Sequence, residues 1–171
     1  MKQLAKHLVA TALLSSAVLS APAMAEQKLA FVDVQSVFQS IPDAAAIPEK
    51  ISVEFKDQIE EVEQLQRDIE FYVESLQRNA ATMSEQEKTE MQEKILTSRQ
   101  SYAEKAQPLQ QSIQRRQNEE RNKILALIRQ SIDKVAADGD YDMIISAGAI
   151  SFAKPEHDVS AQVLEEVNKL N

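Results

Sequence analysis

Three pairs of neighbouring glutamates, Glu60–Glu61, Glu119–Glu120 and Glu165–Glu166, could in principle do acid–base chemistry in this chain, and so could His157, the one histidine beyond the first 25 residues. Paired carboxylates can divide the roles of general acid and base, and a histidine beside a serine and an acid can activate the hydroxyl. The spacing argues against both. Neighbours on a helix point about 100° apart, so each glutamate pair spreads over a solvated face instead of converging. His157 follows Pro155 on a loop, with no second histidine to support it. Cysteine is absent, which removes thiolate nucleophiles, thiolate metal ligands and disulfides together. Only two glycines occur, Gly139 and Gly148, so a glycine-rich phosphate loop cannot be built. No catalytic residue, metal site or cofactor is expected, and function must be sought in shape and surface.

The elements that carry these residues are mostly helical. From Pro48 to Asp138 there is no glycine and a single internal proline, Pro108, in a stretch rich in Glu, Gln, Lys, Arg, Leu and Ile. Apolar residues fall at Ile51, Phe55, Ile59, Val62, Leu65, Ile69, Tyr72 and Leu76, spaced 4, 4, 3, 3, 4, 3 and 4. That average is close to the seam of a coiled coil and predicts one helix from Pro48 to about Asn79. Ser84-Glu-Gln-Glu87 is a capping-box pattern, so the chain turns over Ala80 to Met83 and starts back. The returning helix repeats the seam at Met91, Ile95, Ser98, Tyr102, Ala106, Leu109 and Ile113, resumes at Ile124, and ends at a left-handed Gly139. At 1.5 Å per residue the two helices would be roughly 50 Å and roughly 80 Å long. Pro108 predicts a kink in the second, and a hinge there would let the hairpin open.

Lys28 to Val34 alternates as a strand, and Tyr141–Ser146 and Ala149–Phe152 read as two more around Gly148. Asp158 caps a final helix with Val159, Val163, Val167 and Leu170 on its apolar face. The fold class is therefore α+β, mostly α: a small β-rich body with a long antiparallel helical hairpin. Residues 26–47 and 139–171 form the two parts of the body, and 48–138 the arm. The body is small and its strand edges are open, so self-association is the simplest way to bury them.

The first 25 residues read as a cleavable export signal: Lys2 and Lys6, an apolar run from Leu8 to Leu19, and a small-x-small site at Ala23-Met24-Ala25. Cleavage leaves 17 basic against 27 acidic residues, a net charge of −10. Nucleic acid is excluded as a partner by that repulsion.

Phe71-Tyr72-Val73 exceeds what a two-helix seam can bury, and Met83 and Met91 lie near the same tip. These five residues are the candidate surface for binding apolar segments of another chain. Lys105, Arg115 and Arg116 are a candidate anion contact, weighed against pairing with Glu54, Asp57, Glu60 and Glu61 across the hairpin.

Three stretches give the sequence a family likeness: the Leu29-Ala-Phe-Val-Asp-Val34 strand with Ser36-Val-Phe-Gln39, Arg115-Arg-Gln-Asn-Glu-Glu-Arg121, and Asp158-Val-Ser-Ala-Gln-Val-Leu164. With Ala103-Glu-Lys-Ala-Gln107 and the order of parts, the whole chain beyond residue 25 resembles the Skp (OmpH-type) periplasmic chaperones. The resemblance implies a homotrimer whose arms enclose a cavity. There it holds unfolded outer-membrane proteins without ATP and passes them toward the outer membrane. It also implies a lipopolysaccharide or membrane-surface contact through the basic residues. Members of this kind are often basic, and a chain at −10 departs from them. An envelope scaffold or adaptor that binds a folded partner is the alternative reading.

Overall fold

The computed structural model describes residues 27–170. The export-signal reading of residues 1–25 lies outside them. Strand β1 (Leu29–Val32) leads into three short helices, α1 (Val34–Ser40), α2 (Pro42–Ala45) and α3 (Ile47–Glu54). The hairpin follows as α4 (Lys56–Asn79) and α5 (Glu85–Asp138), and the chain closes with β2 (Met143–Ser146) and α6 (Ser160–Leu170).

Local chemistry accounts for most of the boundaries. Asp33 caps α1 by accepting from the Ser36 N–H at 3.0 Å. Pro42 and Pro48 sit in the first turns of α2 and α3, where a missing N–H costs nothing. At the hairpin turn, the Ser84 hydroxyl accepts from the Glu87 N–H and the Glu87 carboxylate accepts from the Ser84 N–H at 2.7 Å. The capping box read in the sequence is therefore in place.

The outgoing helix is not one piece. Phe55 leaves helical geometry (φ −103°, ψ 10°) and separates α3 from α4, although its N–H still reaches the Ile51 carbonyl at 3.0 Å. The ring of Phe55 is buried in the body's core, and the irregularity falls where core packing gives way to the two-helix arm. Helix α5, by contrast, runs through Pro108 without interruption for 54 residues.

Two further expectations are corrected. Gly139 keeps φ −96°, and the left-handed residue is Asp140 at φ 48°. The requirement at Gly139 is space: a Cβ would come within 2.7 Å of Cδ2 of the Tyr141 ring. Ala149–Phe152 forms no strand. Ala147–Ala149 is a 3₁₀ turn, and Gly148 has no positive φ, so the reversal that a tight hairpin needs is not made.

β1 and β2 pair in parallel, Leu29 with Met143 through Val32 with Ser146, and the whole hairpin is the crossover between them. On its other side β1 meets the start of α6, where the Val159 N–H donates to the Phe31 carbonyl at 2.9 Å. The core gathers Ala30 and Val32 from the sheet, Val37 from α1, Ile41 from the cap that follows it, and Val159, Val163 and Val167 from the C-terminal segment. Ile47, Ile51 and Phe55 join them, as do Ile124, Ile128 and Val135 from the root of α5.

Candidate functional site

Along the arm, α4 and α5 share only one seam. Ile59, Val62, Leu65, Ile69, Tyr72 and Leu76 face Met91, Ile95, Ser98, Tyr102, Ala106, Leu109 and Ile113, and every one of them is half-buried. Two helices have no third neighbour to close the contact, so apolar side chains off the seam stay in water.

The Phe71-Tyr72-Val73 triplet is split by this geometry. Tyr72 turns to the seam, with Lys94 Nζ 5.8 Å above its ring. Val73 is half-buried, while Phe71 points out, 61% exposed, with its ring edge-on to Tyr72 at 5.6 Å. Met83 in the turn and Met91 on α5 are both half-buried. Leu96, 68% exposed, is an arm residue that the sequence reading passed over. The signal was there: Ile95 takes the seam, and a neighbour 100° away cannot take it too.

The basic candidates do not come together. Lys105 Nζ binds Glu61 at 2.7 Å across the hairpin. Arg116 Nε lies 3.0 Å from both oxygens of Glu54, and its Nη1 reaches Glu120 at 2.5 Å and Glu119 at 3.6 Å. Arg115 donates to the Ser112 hydroxyl at 3.1 Å and makes no ion pair among the described residues. Two of the three thus clasp the hairpin, in the antiparallel register that the charge pattern requires. Glu120 is the hub of the inner clasp. Its hydrogen bond from Lys123, then that from Arg116, lowers its carboxyl from 4.5 to about 2. The same contacts with Glu120 and Glu54 raise Arg116 above its ordinary value.

The acid–base candidates are all tied up. Glu60 pairs with Lys56 and Glu61 with Lys105, Glu119 and Glu120 with Arg116, and Glu165 and Glu166 with Lys169. His157 Nδ1 faces the Leu29 carbonyl at 3.2 Å, so the position a triad acid would hold is filled by backbone. Among the described residues no group of three potential ligands converges on a metal position, and no helix is long and apolar enough to cross a membrane.

The body carries a second exposed apolar region. Leu29, Phe31, Ile145, Ile150 and Phe152 line an open groove of about 440 Å³ with His157 at its rim. Phe152 is 84% exposed and Met143, on β2, 54% exposed. Such residues on the face and edge of a two-stranded sheet fit self-association better than solvent.

Comparison with known proteins gives a consistent result. The sequence profile of the family described as Outer membrane protein (OmpH-like) matches residues 28–167. The chain is 33% identical to the Chaperone protein Skp of Yersinia enterocolitica, over 95% of this chain and 99% of that protein. It is 34% identical to the Chaperone protein Skp of Photorhabdus luminescens, over 86% and 90%. The crystal structure of an OmpH-like protein from Caulobacter crescentus superposes with a TM-score of 0.71 over 86% of this chain and 87% of the other. At 11% identity, that match speaks for the fold.

Proposed function

The chain belongs to the OmpH-like family of outer membrane proteins, and from that premise we propose that it is a periplasmic, ATP-independent holdase chaperone for unfolded outer-membrane proteins. The observation that carries this reading is the arm itself. A long two-helix hairpin, rooted in a packed body, exposes Phe71 and Leu96 to solvent along its length. Weak apolar contacts of that kind hold a chain well when repeated at high effective concentration.

Three copies joined through the body would supply the repetition, with β2 and Phe152 at the joint and residues 48–138 projecting as arms. Export and removal of residues 1–25 would place the protein in the periplasm. Phe71, Tyr72, Val73, Met83 and Met91, now with Leu96, form the client-contacting set, of which Phe71 and Leu96 are accessible at once. A lipopolysaccharide or membrane-surface contact through Lys105, Arg115 and Arg116 would rely chiefly on Arg115, since the other two are held in ion pairs. Pro108, opposite the α4 segment around Gln58 to Val62, is the proposed hinge.

The test is the native mass of residues 26–171, alone and with a urea-unfolded outer-membrane barrel protein, followed by aggregation on dilution. A three-copy species that takes up one client and suppresses aggregation is expected. A monomer or dimer that leaves aggregation unchanged would put an envelope scaffold in its place. In the same assay Phe71→Ser with Leu96→Ser should weaken retention several-fold at unchanged helicity.

A further inference from the structure

The charges of this protein are sorted along the arm. Residues 56–107, the outer arm, carry twelve carboxylates against seven basic side chains. Five of those seven, Lys56, Arg67, Arg78, Lys88 and Lys105, are consumed in ion pairs within the arm. Lys94 and Arg99 are the two that make no ion pair among the described residues.

Seven carboxylates of the outer arm are likewise outside ion pairs. Asp68, Glu70, Glu90 and Glu104 each accept from a glutamine amide, Gln64, Gln66, Gln86 and Gln100, four residues away. A neutral amide orients a carboxylate without cancelling its charge. Along residues 108–138 the balance reverses, with six basic side chains against four carboxylates. Arg115 and Arg129 form no ion pair among the described residues, and Arg121 lies over the Phe38 ring at 5.7 Å.

The two most exposed apolar side chains of α4 and α5 stand in the acidic zone. Phe71 is flanked by Asp68, Glu70 and Glu74, and Leu96 follows Glu93 by one turn. They stand on different helices, Phe71 on α4 and Leu96 on α5. A field summed over an excess of five carboxylates, twelve against seven basic side chains, acts on every face within roughly 10 Å at ordinary salt.

We propose that the outer arm selects unfolded segments of net positive charge. The carboxylates draw the segment in, and Phe71 and Leu96 hold its apolar residues. This rests on the holdase reading and adds the class of client to it: lysine- and arginine-rich stretches are taken up, and acidic stretches are disfavoured at the same surface.

The experiment uses residues 26–171 and two labelled, urea-unfolded barrel-protein fragments of equal length and mean hydropathy but opposite net charge. Binding is followed by fluorescence anisotropy at low and high salt. The cationic fragment should bind on the order of tenfold more tightly at low salt, and the difference should shrink at high salt. Asp68→Asn, Glu70→Gln and Glu93→Gln combined should remove most of the preference while the neutralised arm still binds at high salt. Equal affinity for both fragments, or tighter binding of the anionic one, overturns the selectivity and leaves the holdase reading standing. If neither fragment binds at any salt, the holdase reading fails and the selectivity with it.

Discussion

In the body, Val163 and Val167 are fully buried and Ile128 is 1% exposed, and they close a core to which β1, α1, α3, the root of α5 and α6 all contribute. Along the arm, every seam residue from Ile59 to Leu76 is only half-buried, and Phe71 and Leu96 are mostly in water. The two regions share one continuous helix, α5, yet derive their stability differently. Each square ångström of apolar surface removed from water contributes about 25 cal/mol, so the body gains far more per residue than the arm. The arm persists through helix hydrogen bonds, its seam and its caps. Its outward surface is therefore free to change charge and apolarity at little cost to folding, which is where binding should be located.

The sharpest way to break this comparison is to strike α5 at both levels. Ile128→Ala removes a fully buried side chain from the body and should lower unfolding stability by about 3 kcal/mol in urea titration. Leu96→Ala, on the same helix, should change it by less than about 0.5 kcal/mol, as surface substitutions do. Comparable losses at the two sites would mean that the arm is packed against something beyond its own hairpin.

How much of this was legible in the sequence follows the same division. The arm was readable because it is repetitive: the seam spacing, the Ser84–Glu87 box and two cross-hairpin ion pairs, Lys105–Glu61 and Arg116–Glu54, stand as the residues indicate, while Glu60 turns to Lys56 on its own helix. The body was harder. Helices α1 and α2 span 7 and 4 residues, too short for any periodicity to declare itself. Phe55 carries an apolar residue at a correct seam position, and neither glycine nor proline marks the irregularity there. Gly139 was identified as a helix stop, but its reason lies in the approach of the Tyr141 ring, a tertiary contact that no local pattern encodes. At the candidate site, Phe71 could be picked from the triplet, whereas Leu96 was hidden by its seam neighbour Ile95.

A smaller effect separates the tip from everything below it. Ser84→Ala removes the hydroxyl that accepts from the Glu87 N–H and should cost about 1 kcal/mol of local stability. Read by hydrogen exchange, the loss should be confined to the turn and the first two turns of α5, with the Ile128 amide unaffected. Protection lost as far as the body would make arm and body one cooperative unit and erase the distinction drawn here.

The smallest effect lies where the two regions meet, at the Glu54–Arg116–Glu120–Lys123 clasp. Glu120 titrates near 2 in the folded protein, against an ordinary value of 4.5. A carboxyl lowered on folding stabilises the folded state above its unfolded value, and that contribution disappears as pH falls from about 4.5 through about 2. The clasp should therefore be intact at neutral pH and indifferent to mild acidification. Because Lys123 and Arg116 both donate to this carboxylate, Lys123→Met and Arg116→Met should each move the Glu120 midpoint upward, in an NMR titration of the side-chain carboxyl. A shift in the Lys123 variant alone would detach the clasp from Arg116 and Glu54, and with them from the contact across the hairpin. An unshifted midpoint in both variants would mean that the pairs are too exposed to matter and that the root is fixed by Phe55, Ile124 and Ile128 alone.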